Sequence, residues 1–225
     1  MTERAEALIG DLSANLAPVR RLWPPMVRAG LWLACAAVTG VAVTSRASLE
    51  TAWVRFTMLP DLGWTLGGAA LTAMLAAVAA FELSLPDRKS AWAWLPVPAI
   101  VLWLTASGWG CLRDYGLPGL DPATVQDGIG CVGTILGVSI PLSLLLLALL
   151  RPARPLRPGL VAFTGGLAAS AASVTVLCLI HPHDASAIDL LMHLAAIATV
   201  ITAVRRWGGR VLSTPSFAVR GRGSG

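Results

Sequence analysis

The stretch that decides the fold runs from Ile129 to Leu150 and reads IGCVGTILGVSIPLSLLLLALL. It holds no charged residue, and its length of about 22 residues is enough for an α-helix to cross the hydrocarbon core of a bilayer. Five further apolar segments predict spans at 26–45, 62–85, 92–109, 160–180 and 188–204. The 225 residues are 56% hydrophobic and 13% charged, and soluble domains carry roughly 25% charged residues. We therefore predict an all-α, polytopic membrane protein with six transmembrane helices.

The basic residues indicate the orientation of these spans. Of the 17 basic residues, all except Arg46, Arg55 and Arg113 lie on the side of the membrane that holds the amino terminus. Because cytoplasmic loops are enriched in lysine and arginine, this bias predicts that both termini are cytoplasmic. The chain then divides into a cytoplasmic amphipathic segment at 1–25, a six-helix transmembrane domain at 26–207 and a basic cytoplasmic tail at 208–225.

Small residues predict where helices touch inside the bundle. Gly133 and Gly137 are four residues apart on the fourth span, and Gly165, Ala169 and Ser173 form a similar stripe on the fifth. Small side chains let two backbones approach closely where lipid provides no hydrophobic drive for association. We expect a helix contact above all at the Gly133–Gly137 pair.

Ionisable residues within the spans are few. Glu82 lies about one turn from the cytoplasmic end of the second span, where its carboxylate is expected to reach the interface. His193 follows Asp189 by four residues on the sixth span, but no partner on another span completes a proton relay. This composition disfavours a proton pump or an ion-coupled transporter. The sequence has no phosphate-binding loop, zinc-protease motif or nucleophile elbow, so we do not expect an enzyme.

Cysteine and histidine residues collect on the extracytoplasmic side of the predicted bundle. The members of this group are Cys111, Cys131, Cys178, His181, His183, Asp184 and His193, whereas Cys35 lies within the first span. Thiols on the oxidising side of a bacterial envelope can form disulfides, and Cys and His also bind zinc, cadmium or copper. A lone cysteine is usually a small buried hydrophobe, but the group as a whole predicts a redox-responsive or metal-responsive site. A small metal or solute transporter and a purely structural subunit are the alternatives.

A short amphipathic helix is predicted before the first span. Its apolar side has helical spacing, its opposite side is acidic, and Pro18 ends it. The apolar residues are Ala5, Leu8, Ile9, Leu12 and Leu16. Such a stripe either lies on the lipid surface or binds a protein partner. The acidic side favours a protein partner, because interfacial helices usually carry basic residues there.

Four ordered segments resemble a known family. LIGDLSANLAPVRRLWPP precedes the first span, and FELSLPDRKSAWAWLP follows the second. GIGCVGTILGVSIPL opens the fourth span, and CLIHPHDASAIDLLMHL bridges the fifth and sixth. Together they resemble the NrsF-type negative regulators of extracytoplasmic-function (ECF) sigma factors, which are six-span membrane anti-sigma factors. The resemblance implies a bacterial inner-membrane protein whose partners are a cognate ECF sigma factor and the lipid bilayer, with no direct contact to nucleic acid.

The same resemblance implies roles for individual residues. The residues expected to bind the sigma factor are Leu8, Ile9, Leu12, Leu16, Arg20 and Arg21. Cys131 and Cys178 resemble the paired stress-responsive cysteines of the family, although Leu179 follows Cys178 where the family often has proline. The expected sensor combines this pair with His181 and His193, and the additional candidates are Cys111, His183 and Asp184. No cofactor is expected beyond a transient heavy-metal ion, for which the candidate ligands are Cys178, His181 and His193.

Overall fold

A computed structural model describes residues 2–14, 21–45, 60–114, 125–180 and 187–213 of the chain. Every regular element in these ranges is helical. The α-helices are α1 (Thr2–Ala14), α2 (Pro25–Thr44), α3 (Pro60–Leu83), α4 (Val97–Asp114), α5 (Val125–Leu150), α6 (Pro158–Ile180), α7 (Ala187–Ala203) and α8 (Gly209–Ser213). Shorter turns of 3₁₀-helix occupy Ser90–Trp94 and Arg151–Ala153, and a π-helical turn at Val204–Gly208 joins α7 to α8.

In the part of the chain that the structure describes, six helical stretches are long and apolar enough to cross a membrane, as the sequence predicted. They are Pro25–Thr44, Leu62–Leu83, Ser90–Leu112, Ile129–Ala153, Pro158–Ile180 and Leu190–Ser213. The third and sixth reach 23 and 24 residues and so exceed the short spans expected from the sequence. The third is lengthened by the 3₁₀ turn before α4 and by a further turn at its end, and the sixth by the π-helical turn and α8. The cytoplasmic location of both termini stays a prediction.

Helix α6 lies at the centre of the bundle. It packs against α2, α3, α5 and α7, and most of its residues are buried. Small residues allow this crowding: a Cβ atom on Gly165 would lie 2.5 Å from Leu146 Cδ2 of α5, and Ser173 shares a 2.8 Å hydrogen bond with Ser139 of α5. The predicted small stripe through Gly165 and Ser173 is therefore a true helix contact.

The stronger glycine prediction is wrong. Neither Gly133 nor Gly137 would bring a Cβ atom within 4 Å of another part of the described structure, and both are exposed. Among the described glycines, the closest approach to the backbone of another helix is at Gly68 of α3, where a Cβ atom would lie 2.8 Å from Trp103 Cα of α4. Spacing alone could not distinguish these glycines, because which face of a helix meets a neighbour is set by the packing of the whole bundle.

Exposed tryptophans mark both ends of the bundle. Trp23 before α2, Trp94 between α3 and α4, and Trp207 in the π-helical turn lie at one end. Trp64 near the start of α3 and Trp109 near the end of α4 lie at the other. Tryptophan concentrates at the two membrane–water interfaces, where its ring is apolar and its N–H can still reach polar groups. The two belts therefore match a bundle that spans a bilayer.

Candidate functional site

Helix α1 presents an uncovered apolar side. Leu8 and Ile9 are adjacent residues on this helix and are 60% and 64% exposed. Every described side chain of α1 is exposed, so this apolar pair lies uncovered and is available to a protein partner or to lipid. Of the other residues predicted to bind a partner, Arg21 is exposed in the non-helical segment before α2. The side chain of Leu12, together with Leu16 and Arg20, lies outside the described residues.

The start of α2 is anchored to the bundle by a buried arginine. Helix α2 begins at Pro25, directly after its N-cap residue Pro24, and Arg28 in its first turn is only 4% exposed. The Arg28 guanidinium donates through Nη1 to the Leu149 carbonyl at 3.3 Å and through Nη2 to Ser84 Oγ at 3.3 Å. It also lies 5.5 Å from the centroid of the Phe81 ring, within the range of a cation–π contact. One side chain thus connects α2 to the ends of α3 and α5.

A carboxylate lies beside this arginine. Glu82 of α3 is 5% exposed, and its Oε2 atom forms a 2.8 Å ion pair with Nε of Arg88. That N–H is not directed at the oxygen, so the contact is an ion pair without a hydrogen bond. Arg28 Nε and Glu82 Oε2 are both buried and make no hydrogen bond within the described structure. The group formed by Arg28, Glu82, Ser84 and Arg88 is hereafter the charged latch.

Sequence reasoning did not find the charged latch. It counted Arg28 and Arg88 only as topology signals, and it expected Glu82 to reach the interface, whereas the structure encloses Glu82 and lets the half-exposed Arg88 approach it. One signal was available: Arg28 in the first turn of one span and Glu82 in the last turn of the next must lie at the same end of an antiparallel pair. Pairing of these two opposite charges is favoured there, because burying either charge without a partner would cost free energy.

The four cysteines all lie within described helices, and no disulfide joins any two of them. Cys131 of α5 is buried in the hydrophobic core, and Cys178 of α6 is partly buried against the same core. Cys111, near the end of α4, and Cys35, within α2, are also partly buried. Cys131 and Cys178 therefore share one continuous core.

The register of α5 against α6 relates the depths of Cys131 and Cys178. Starting from the Ser139–Ser173 hydrogen bond, Cys131 lies eight residues back along α5 and Cys178 five residues forward along α6. At about 1.5 Å per residue the two thiols lie about 12 Å and about 7.5 Å toward the same end of the bundle. Five residues also rotate Cys178 by about 140° from the side of α6 on which Ser173 meets α5. The two thiols thus lie at similar depth in the bundle. Cys178, however, projects from a side of α6 other than the one on which Ser173 meets α5.

The histidines are only partly within the described residues. His193 of α7 is partly buried, whereas His181, His183 and Asp184 lie outside the ranges that the structure describes, as does the side chain of Asp189. Across the described residues no group of three His, Cys, Asp or Glu side chains is arranged to hold a metal ion. The predicted ligand set of Cys178, His181 and His193 therefore stays a prediction.

Comparison with known protein families gives a match that spans most of the chain. The profile of the family described as NrsF, negative regulator of sigma F, matches residues 12–213. The chain belongs to the NrsF family. Searches of curated proteins and of solved structures found no match. The family description makes this NrsF protein an anti-sigma factor, and its expected partner is a sigma factor.

The NrsF match covers one part of the candidate site and not the other. The matched residues include all six candidate spans, the charged latch and all four cysteines. The match begins inside α1, so Leu8 and Ile9 precede it and Leu12 is its first residue. The exposed apolar pair on α1 thus lies in a part of this chain that the family profile does not cover.

Proposed function

We propose that this NrsF protein is a non-enzymatic anti-sigma factor of the bacterial inner membrane. It holds an ECF-type sigma factor at the cytoplasmic surface and releases it when an envelope signal reaches the bundle. Three features support this: the family match, six apolar spans flanked by tryptophan belts, and an exposed helix before the first span. The distribution of basic residues supports the cytoplasmic location of both termini.

The observation that carries the proposed binding role is the exposure of Leu8 and Ile9 on α1. A short helix that displays adjacent aliphatic side chains suits a groove on a partner protein, which buries them and leaves the acidic side in water. Each such side chain contributes roughly 1.5–3 kcal/mol when it is fully buried. Helix α1 precedes the Arg28-anchored start of α2 in the sequence, so we expect a change at this end of the bundle to alter where α1 is presented.

The proposed signal acts on the thiols of Cys131 and Cys178. Oxidation or capture of a heavy-metal ion at these thiols changes the packing of α5 and α6, between which Ser139 and Ser173 are hydrogen-bonded. A tenfold loss of affinity for the sigma factor requires a difference of only about 1.4 kcal/mol between the two states of the protein. Because Cys131 is buried, the signal acts on a state in which the α5–α6 interface has opened.

The binding role is tested with the full-length protein in bacterial membranes. Leu8→Asp combined with Ile9→Asp places two charges in the proposed interface and is expected to reduce co-purification of the sigma factor at least about tenfold. Sigma-dependent transcription should rise in the same cells. The matched control is Glu3→Gln with Glu6→Gln, on the acidic side of α1, which should retain the sigma factor. Retention at the unsubstituted level by the aspartate variant, with both variants equally abundant in the membrane, refutes the binding role of α1.

A further inference from the structure

An open pocket, hereafter the groove, lies along the outer face of α7, the π-helical turn and the start of α8, and all its described lining residues come from this one helical path. Its volume is about 590 Å³, and it is lined by Ala198, Thr199, Thr202, Ala203, Arg206, Trp207 and Arg210. These residues recur at intervals of three and four, so they follow one side of a continuous helical path. One half of the groove, hereafter its apolar half, is lined by two alanines and two threonines, and the Thr199 hydroxyl donates to the Ala195 carbonyl of its own helix. The other half carries two guanidinium groups and an indole ring.

The π-helical turn gives the groove its basic end. Gly208 packs so closely that a Cβ atom would lie 2.8 Å from Leu147 Cδ2 of α5. Because one side of the turn is held against α5, its wider helical path leaves Trp207 and Arg206 on the outside, where Trp207 is 67% exposed. Turns of π-helix inside α-helices are frequent at functional sites.

The groove lies at the level of a membrane interface. Leu147 is two residues before Leu149, whose carbonyl accepts a hydrogen bond from Arg28, so the groove opens at the end of the bundle that holds the charged latch. Trp207 belongs to the tryptophan belt at this end. On the proposed insertion, the apolar half of the groove faces acyl chains and the arginine half faces phospholipid headgroups.

We infer that this groove binds an anionic phospholipid from the surrounding membrane. The phosphate pairs with Arg206 and Arg210, the indole of Trp207 lies at the carbonyl region, and one acyl chain follows the small residues from Ala203 to Ala198. Basic sites beside transmembrane helices on the cytoplasmic side recognise anionic headgroups in this way. A soluble anion or an acidic protein would use the arginines and leave the apolar half of the groove unfilled, so the complete groove favours a lipid. This inference rests on the membrane insertion proposed above.

The experiment uses the full-length protein in nanodiscs of phosphatidylcholine with a minority of phosphatidylglycerol, and it counts the lipids retained in native mass spectra. Arg206→Gln with Arg210→Gln is expected to lower the affinity for phosphatidylglycerol about 30-fold, since each arginine near the surface contributes about fivefold. The matched control is Arg157→Gln with Arg205→Gln. It removes two exposed charges at the same end of the bundle that do not line the groove. If both double variants lose affinity for phosphatidylglycerol equally, the arginines attract anionic lipid only through their general charge. That result overturns the proposed binding site.

Two further measurements test the apolar half of the groove. Ala198→Leu fills it, whereas Ala195→Leu adds the same volume to an exposed position of α7 outside it. Only Ala198→Leu should reduce phosphatidylglycerol retention, and glycerol phosphate in solution should not displace the lipid. Displacement by glycerol phosphate, or equal behaviour of the two leucine variants, overturns the lipid assignment. Loss of lipid retention in the arginine variant with the sigma factor still bound separates this inference from the proposed anti-sigma function.

Discussion

Arg28 Nη2 and Ser84 Oγ are joined by a 3.3 Å hydrogen bond that ties the start of α2 to the end of α3. The Ser84 hydroxyl in turn donates to the Phe81 carbonyl at 2.6 Å, and the Phe81 ring lies beside the guanidinium. This hydrogen bond is buried, so the guanidinium and the hydroxyl cannot form hydrogen bonds to water in its place unless the bundle opens. This contact therefore fixes the position of the start of α2 against the end of α3.

The first prediction concerns the stability of the charged latch. Arg28→Ala should lower the free energy of unfolding by about 2–3 kcal/mol, because it leaves the Ser84 hydroxyl and Glu82 with fewer partners in a buried site. Arg88→Ala should cost less than about 1 kcal/mol, since the Arg88 side chain is 42% exposed and water can replace it. Thermal unfolding of the purified protein in detergent measures both. A larger loss of unfolding free energy for Arg88→Ala than for Arg28→Ala would contradict the proposed importance of Arg28 in the charged latch.

The second prediction compares two glycines. Gly68→Ala places a methyl group 2.8 Å from the Trp103 Cα atom, which is backbone and cannot move aside. We expect this variant to be destabilised by about 1–3 kcal/mol and to accumulate poorly in membranes. Gly133→Ala is the matched control, because its methyl group meets nothing within 4 Å, and it should be neutral. Equal abundance and equal melting temperatures of the two variants would show that α3 and α4 are not in close contact at Gly68.

These two predictions mark what the sequence could and could not indicate. The six spans were predictable, because an uncharged apolar stretch of about 20 residues has few alternatives to crossing a membrane. The exposed stripe on α1 was also predictable from the spacing of Leu8 and Ile9. The charged latch and the Gly68 contact were not, because both depend on which faces of α2, α3 and α4 meet. The failed expectation at Gly133 has the same cause.

The third prediction concerns orientation. Both termini should be cytoplasmic, since all but three of the basic residues lie on one side of the proposed topology. A cytoplasm-active reporter fused after Gly225 should be active, and a periplasm-active reporter inserted within 182–187 should also be active. Exchanging the two reporters should abolish both signals. Activity of the periplasmic reporter at Gly225 would invert the topology and place α1 on the wrong side for a sigma factor.

The last prediction concerns Cys131 and Cys178. If the two thiols respond to one signal as a unit, Cys131→Ser and Cys178→Ser should each block release of the sigma factor by an oxidant or by cadmium, and the double variant should match either single variant. A direct disulfide requires the Cα atoms to approach within about 7 Å. The register of α5 against α6 gives the thiols similar depth, but the rotation of Cys178 away from the side of Ser173 means that α6 must turn or shift for the sulfurs to meet. Shared binding of a soft metal ion tolerates a wider distance between the two sulfurs.

Sigma-dependent transcription measured with an oxidant and, separately, with cadmium distinguishes disulfide formation from metal binding at these thiols. Cys35→Ser of α2 is the control, and it should respond normally to both inducers. Independent, additive effects of the two serine substitutions would refute the paired sensor and leave each thiol as an ordinary residue of the core.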